Sequence, residues 1–180
     1  MEGTIIRRHP LIEEIFSTNE AFLGKDLEKY KNHVYRIFNY ALYLSNYADT
    51  EQYAVASGFH DLGIWTDNTF DYLQPSVFLA EKFLIEHREF NFSSEEISAM
   101  IFNHHKISSY NGMYKDTVEV FRKADWTDVS MGMLRFEIPR DIIVKVKKQF
   151  PYKGFHLTLL KLFLKNFIKH PLDPLPMFRK

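Results

Sequence analysis

The residues of this chain best suited to chemistry are histidines and aspartates at widely spaced positions. His60 and Asp61 are adjacent and follow a run of small residues, His33 lies upstream, and Asp125 lies downstream. The 180-residue sequence contains eight histidines and no cysteine, which excludes disulfides and thiolate ligands. A metal site in this chain must therefore use imidazole nitrogen and carboxylate oxygen atoms, and such donors suit Fe, Mn, Co, Ni or Zn.

Helical periodicity recurs along the chain, whereas the clean alternation that is typical of strands is missing. The pattern predicts an all-α fold, a bundle of roughly seven helices. Proline and cap signals help to locate them. The first two predicted helices lie at about 27–48 and 51–62, and a third has Pro75 in its first turn. The others follow the Ser93/Glu96 capping box, begin at about 116, follow Pro139, and lie at about 155–169. The proline-rich tail that begins at His170 is expected not to be helical.

Ionisable residues interrupt the apolar stripes of these predicted helices. His33, His87 and His104 each lie on the core-facing stripe of a different helix, and Asp125 lies on the stripe of another. Burying such groups is costly unless a partner satisfies them. A shared metal ion would satisfy all four residues together.

The order His33, His60-Asp61, Asp125 resembles the H…HD…D signature of the HD superfamily of metal-dependent phosphohydrolases. The flanking segments NHVYR, FHDLG and RKADWTD are also similar to that family, and the resemblance covers about residues 27–130. It implies a helical bundle and a divalent-metal site with these four residues as ligands. The default activity it implies is hydrolysis of a phosphate ester of a small metabolite or nucleotide by metal-activated water.

Some HD proteins carry two extra histidines between the HD pair and the last aspartate, where they hold a second ion. This sequence has histidines in that interval, so it resembles the two-metal branch, and Asp61 would then bridge two ions. The shells that this implies are His33, His60 and Asp125 for one ion, and His87 and His104 for the other. The HD-GYP subgroup is not resembled closely, because the GYP tripeptide is missing and HHK replaces HHE.

Basic residues beside the predicted ligands are candidates for binding a phosphate group. Lys106 follows the histidine pair directly, and Arg122 lies three residues before Asp125 and so on the same helix face. Arginine offers the bidentate contact that phosphate oxygens favour. The role of His105 stays open between a ligand, a donor to a ligand and a substrate contact.

The loop that follows the HD pair, IWTDNTFDY, carries two further aspartates. Asp67 or Asp71 is a candidate for protonating the leaving group or ordering a water. The alternative for both residues is that they cap a turn or the next helix.

The bulk composition favours one domain over residues 1–180, with core motifs at 27–130 and a C-terminal helical extension at 138–170. The chain is 46% hydrophobic and its formal net charge is zero, so a polymeric nucleic acid is not an expected partner. Lysines at every fourth position, 161, 165 and 169, predict an amphipathic C-terminal helix rather than a membrane span. We expect a cytoplasmic protein, and the apolar C-terminal helix leaves room for a homodimer.

Three functions agree with these features. The first is the phosphohydrolase, acting on a small phosphorylated substrate. The second is a mixed-valent di-iron oxygenase, since some members of the same superfamily use a similar six-ligand set. The third is a non-catalytic domain that binds a nucleotide or a partner and contains a purely structural metal ion.

Overall fold

Helix α2 (Leu27–Leu44) is the centre of the fold, because its residues from His33 to Leu42 are buried on every side of the helix. The computed structural model describes residues 4–178, and within that range the regular elements are helices with no strand. The other α-helices are α1 (Pro10–Leu23), α3 (Thr50–Phe59), α4 (Gly63–Thr66), α5 (Leu73–Glu86), α6 (Ser94–Asn103), α7 (Lys115–Val129), α8 (Arg140–Gln149) and α9 (Phe155–Lys169). Short 3-10 turns lie at Gly24–Asp26 and Pro176–Phe178.

The predicted all-α bundle is confirmed, and each of the seven predicted helices has a counterpart in α2, α3 and α5 to α9. Ser93 caps α6 as predicted, since its hydroxyl group accepts a hydrogen bond from the backbone N–H of Glu96. Helix α2 ends at Leu44, earlier than predicted, because Asn46 and Tyr47 adopt positive φ angles. The tail contains the turn at Pro176–Phe178, which the sequence did not indicate.

Helix α1 is an addition to the predicted set. It begins with Pro10, a favoured first residue, and buries Ile12, Ile15, Phe16 and Leu23 on one face. Helix α2 packs along α7 and also contacts α3, α8 and α9. Helices α5 and α6 pack on each other, and α6 also packs on α7. These contacts bring the C-terminal ends of α3 and α6 close to the middle of α2 and α7.

The C-terminal part of the chain closes one side of this arrangement. Phe155 is fully buried at the start of α9, while Leu157 and Ile168 on the same helix are mostly exposed. Met177 in the tail packs in a small second cluster with Ile64 and Tyr72. Within residues 4–178, none of the helices combines the length and the apolar character needed to cross a membrane.

Candidate metal centre

Five buried histidines and aspartates meet where α2, α3, α6 and α7 come together. His33 lies in the middle of α2 and Asp125 in α7, while His60 and His104 are the residues at which α3 and α6 end. Asp61 follows α3 directly. Each of the five side chains is at most 5% exposed, so the cluster lies within the core.

The first half of the cluster consists of His33, His60 and Asp61. The Nε2 atoms of His33 and His60 are 3.1 Å apart. Oδ2 of Asp61 is 3.6 Å from Nε2 of His33 and 3.3 Å from Nε2 of His60. Nitrogen ligands at about 2.0–2.1 Å from one ion lie roughly 2.9–3.4 Å from each other, so this spacing fits donors that share an ion.

The second half of the cluster is formed around the other oxygen of Asp61. Oδ1 of Asp61 is 3.5 Å from Nε2 of His104, and Asp61, His104 and His105 also have ligand atoms close enough to hold an ion. Asp125 lies across both halves, with Oδ1 3.9 Å from Nε2 of His33 and Oδ2 3.6 Å from Nδ1 of His105. The carboxylate of Asp61 therefore faces two groups of nitrogen atoms at once.

Hydrogen bonds on the far side of two histidine rings show which nitrogen carries the proton. Nδ1 of His60 donates to the carbonyl of Ser57 at 2.8 Å, and Nδ1 of His104 donates to the carbonyl of Ile101 at 2.6 Å. A carbonyl oxygen can only accept, so Nδ1 must hold the hydrogen and Nε2 of the neutral ring has a free lone pair. Metal-ligating histidines show this same arrangement, with the outer N–H bonded to a carbonyl or carboxylate.

Several polar atoms of the cluster are buried without a hydrogen-bond partner among the described residues. They are Oδ1 of Asp61, Nε2 of His104 and both carboxylate oxygens of Asp125. Leaving such atoms unsatisfied is expensive. Because all of them are electron-pair donors that face each other, a cation is the partner that would satisfy them together. The donor set therefore fits a metal ion.

His33 is held by a buried ion pair that the sequence analysis did not single out. Nδ1 of His33 is 2.7 Å from Oδ2 of Asp128, and Arg36 donates from Nε and Nη2 to the two oxygens of the same carboxylate at 2.6 and 2.9 Å. Arg36 also donates to the carbonyl of Phe150. This network keeps the His33 ring in place with its Nε2 towards Asp61.

The electrostatics of the cluster favour negative charge on Asp61 and Asp128. Burial alone would raise the pKa of Asp128, but Arg36 and His33 outweigh burial and lower it to about 2. Burial likewise opposes ionisation of Asp61, whereas its interactions with His60, His104 and His33 hold its pKa well below the usual range. The opposing effect of burial on His33 is outweighed by Asp128 and Asp61, which raise its pKa to about 9. A metal ion bound at Nε2 of His33 would compete with the proton that this raised pKa places on the ring.

His105 and Tyr72 form the boundary between the cluster and a cavity. The Tyr72 hydroxyl group and Nε2 of His105 share a hydrogen bond of 2.5 Å, which leaves Nδ1 of His105 towards Asp125. Burial and the neighbouring His104 lower the pKa of His105 well below its usual range, so the ring is neutral. Burial and the charges of Asp61 and Asp125 raise the pKa of Tyr72 well above its usual range, so the phenol keeps its proton.

The cavity has a volume of about 250 Å³. Its base contains Asp61, Asp125 and His105, and Tyr72 and Trp126 contribute to its wall. Most of the remaining wall is apolar and comes from α9 and the tail. The predicted ligands are therefore not sealed inside the core, because Asp61 and Asp125 can be reached from this cavity.

The structure does not bring His87 to the cluster, although the resemblance implied that it would hold the second ion with His104. Helix α5 ends at Glu86, so the chain changes direction at His87. Its Nε2 lies 3.1 Å from Glu14 and its Nδ1 lies 3.2 Å from Glu89. The position beside His104 is occupied by His105 instead.

Neither basic candidate lines this cavity. Nε and Nη2 of Arg122 donate to Glu119 at 2.6 and 2.9 Å, and Nη1 donates to the carbonyl of Lys106 at 3.1 Å. The guanidinium group is thereby engaged one turn back along α7, away from Asp125, because long helical side chains point towards the helix N-terminus. Lys106 lines a neighbouring cavity together with Asn103.

The two aspartates of the loop do not line the cavity either. Asp67 is exposed and accepts a hydrogen bond from Thr66, and Asp71 is exposed in the turn before α5. The loop contributes Tyr72 and Phe70 to the cavity instead. A helical-face argument can locate Asp128, which lies three residues after Asp125 just as Arg36 lies three residues after His33. No comparable local signal marks Tyr72.

Comparison of the chain with models of protein families, with curated proteins and with solved structures finds no match.

Proposed function

We propose that this chain is a metal-dependent phosphohydrolase that cleaves a phosphate ester of a small molecule with a metal-activated water. The strongest support is that Nε2 of His60 and Nε2 of His104 face the carboxylate of Asp61, which lines a cavity together with Asp125. Oδ1 of Asp61 and both carboxylate oxygens of Asp125 have no hydrogen-bond partner among the described residues. Structural metal sites are closed by protein ligands, whereas catalytic sites keep a position open for water and substrate. The cavity provides such access and favours a catalytic role over a purely structural one.

We infer further that the centre would hold two ions, with His33 and His60 on one side of the Asp61 carboxylate and His104 on the other. The support is that Oδ2 of Asp61 faces His33 and His60 while its Oδ1 faces His104. His105 would bind the second ion together with His104, the role that the sequence resemblance implied for His87. Four imidazoles and two carboxylates make a donor set that suits Fe, Mn, Co, Ni or Zn.

Ions at this centre would lower the pKa of a bound water and neutralise the oxygens of a phosphate group. The protein would orient them through rings that are themselves fixed by Asp128, Ser57 and Ile101. Among the described residues no lysine or arginine lines the cavity. Arg122 would therefore have a structural role, and the ions would neutralise the charge of the phosphate.

Tyr72 is our candidate for the donor to the leaving group, in place of Asp67. Its hydroxyl group lies where the cavity meets the cluster, beside His105, and its raised pKa keeps it protonated at neutral pH. A protonated hydroxyl group at this point can hydrogen-bond to the ester oxygen and stabilise the charge that develops when the ester bond breaks.

The direct test is phosphate release from a panel of phosphomonoesters and phosphodiesters by protein loaded separately with Mn, Co, Fe, Ni and Zn. We expect metal-dependent release that Asp61→Asn lowers at least about 100-fold, since the variant removes the bridging carboxylate. Asp116→Asn, which changes an exposed aspartate on α7, is the control and should retain wild-type activity. No release from any ester with any of the five metals would contradict the proposal.

The donor set also favours a second candidate, a mixed-valent di-iron oxygenase. Imidazole and carboxylate ligands around a bridging aspartate suit iron, and the apolar cavity could hold an organic substrate. Purification without oxygen, followed by iron analysis and oxygen uptake measurements, separates the two. Two bound irons with substrate-dependent oxygen uptake would favour the oxygenase, and phosphate release without oxygen would favour the hydrolase.

A further inference from the structure

The cavity above the cluster has a wall whose chemistry differs from that of a site for a polar metabolite. Its apolar residues come from separate parts of the chain and include Phe70, Trp126, Val129, Leu159, Phe163 and Met177. The polar residues that line it are Asp61, Asp125, His105 and Tyr72, which belong to the proposed catalytic centre. Beyond that centre the described wall offers no charged side chain to a substrate.

The charge of this wall disfavours leaving groups that carry anions. A second phosphate or a carboxylate on the alcohol part would be removed from water without a cation to pair with, and such burial is costly. A leaving group with many hydroxyl groups would lose hydrogen bonds to water for the same reason.

The volume of the cavity also limits the size of the alcohol part of the substrate. An apolar cavity of about 150 Å³ holds one benzene molecule, whereas this cavity measures about 250 Å³. The space therefore suits one aromatic ring or a short alkyl chain together with the ester oxygen. The rings of Phe70, Trp126 and Phe163 would offer the edge and face contacts that aromatic groups favour.

We propose that the substrate is a phosphate monoester of a small apolar alcohol, aromatic or short-chain aliphatic, with no second charged group. This inference rests on the proposed function. In the reaction the oxygen of water forms a bond to phosphorus, the bond between phosphorus and the alcohol oxygen breaks, and one proton from the water ends on the released alcohol. The apolar wall would bind the alcohol part while the phosphate group faces Asp61 and Asp125 through the bound ions.

The test compares esters that all release a primary alcohol, so that their intrinsic reactivities are similar. Benzyl phosphate and butyl phosphate represent the proposed class, and glycerol phosphate and adenosine 5′-monophosphate represent polar alternatives. With metal-loaded protein we expect kcat/KM to be about 10- to 100-fold higher for the benzyl ester, the size expected for burying one apolar group. Equal or faster hydrolysis of the polar esters would overturn the inference and leave the hydrolase proposal standing.

Leucines one turn apart on α9 give a matched pair of variants. Leu160 lines the cavity and is 51% exposed, whereas Leu164 does not line it and is 48% exposed. Leu160→Asn should lower the ratio of kcat/KM for benzyl phosphate to that for glycerol phosphate by about 3- to 10-fold, and Leu164→Asn should leave the ratio unchanged. If both variants lowered the ratio equally, or if neither lowered it, the apolar wall would not select the substrate.

A binding measurement tests the same inference without turnover. By calorimetry, metal-loaded protein should bind benzylphosphonate about 10-fold or more tightly than methylphosphonate, because only the former fills the apolar cavity. Equal affinity for the two phosphonates would overturn the substrate class. Tight binding of benzylphosphonate without hydrolysis of any ester would support the apolar site and reject the hydrolase.

Discussion

Three histidines, His33, His60 and His104, share one arrangement at the scale of single residues. Each ring bonds through Nδ1 to a fixed partner and turns Nε2 towards the carboxylates of the cluster. These outer hydrogen bonds explain why the rings stay in this orientation. The outer partners are backbone carbonyls for two of the rings and Asp128 for the third.

Metal binding should depend on His104 and not on His87. His104→Asn should remove a donor from the second half of the cluster, so we expect at least one ion to bind more than about 10-fold more weakly. His87→Asn should leave metal content unchanged, because that ring bonds to Glu14 and Glu89. Metal analysis after dialysis against dilute metal checks both variants, and loss of metal in the His87 variant would contradict the assignment.

Asp128 gives a prediction about acid stability. Its folded pKa of about 2 lies below the ordinary value of 3.8, so its ionised form stabilises the fold above about pH 4, and this stability is lost as the pH falls towards 2. The difference corresponds to about 2 kcal/mol. Urea unfolding curves at about pH 6 and pH 3 should show the beginning of this loss.

The variant Asp128→Asn isolates that contribution. It leaves the guanidinium group of Arg36 buried without a charge partner, so the free energy of unfolding near pH 6 should fall by about 3–5 kcal/mol. The variant should also lose the part of the acid dependence that belongs to Asp128. An unchanged free energy of unfolding would show that the ion pair does not hold His33 in place.

At the scale of helices, Gly63 sets how closely the start of α5 approaches α4. A Cβ atom at this position would lie 2.6 Å from the carbonyl oxygen of Tyr72 and 2.9 Å from Cβ of Pro75. The N–H of Gly63 also donates to Ser76 at 3.0 Å. The glycine that follows the HD pair in the sequence therefore brings Tyr72 to the edge of the cluster.

We expect Gly63→Ala to displace Tyr72 and to lower the free energy of unfolding by about 1–3 kcal/mol. Metal content should stay the same, because no ligand is changed, while the rate of ester hydrolysis should fall. Tyr72→Phe should reproduce the loss of rate with little loss of stability. Wild-type activity in both variants would remove Tyr72 from the proposed chemistry.

The helices could be predicted from sequence because their signals are local. The apolar stripe of α2 and the cap at Ser93 need no knowledge of the rest of the chain, and they also identified His33 and Asp125 as core-facing. The residues whose predicted roles differ from their positions in the structure depend on helix ends and side-chain directions, which periodicity does not indicate. His87 lies one residue past the end of α5, and the side chain of Arg122 turns back to Glu119. Tyr72 reaches the cluster only through the packing of α5 against α4.

At the scale of the whole molecule, the C-terminal extension belongs to the site. Phe155 stacks on the ring of His33 with their centroids 4.1 Å apart, and Leu159 and Met177 line the cavity. The sequence resemblance ended near residue 130, so it could not indicate this role. The extension and the tail that follows it together supply most of the apolar wall of this cavity.

Truncating Phe155 should therefore affect stability and metal binding together. Phe155→Ala should lower the free energy of unfolding by about 3–5 kcal/mol and weaken metal binding, because His33 loses the ring that packs against it. Leu157→Ala on the exposed side of α9 is the control, and we expect a change within about 0.5 kcal/mol. Denaturant unfolding with parallel metal analysis checks both, and normal metal affinity in the Phe155 variant would contradict this coupling.

A centre of two ions that share Asp61 would be seen most directly in a crystal structure of the metal-loaded protein with anomalous scattering data. We predict two anomalous peaks, with Oδ2 of Asp61 beside one and Oδ1 beside the other. His33 and His60 should coordinate the first ion, and His104 the second. A single ion, an ion without Asp61 in its coordination shell, or an ion bound by His87 would contradict the account.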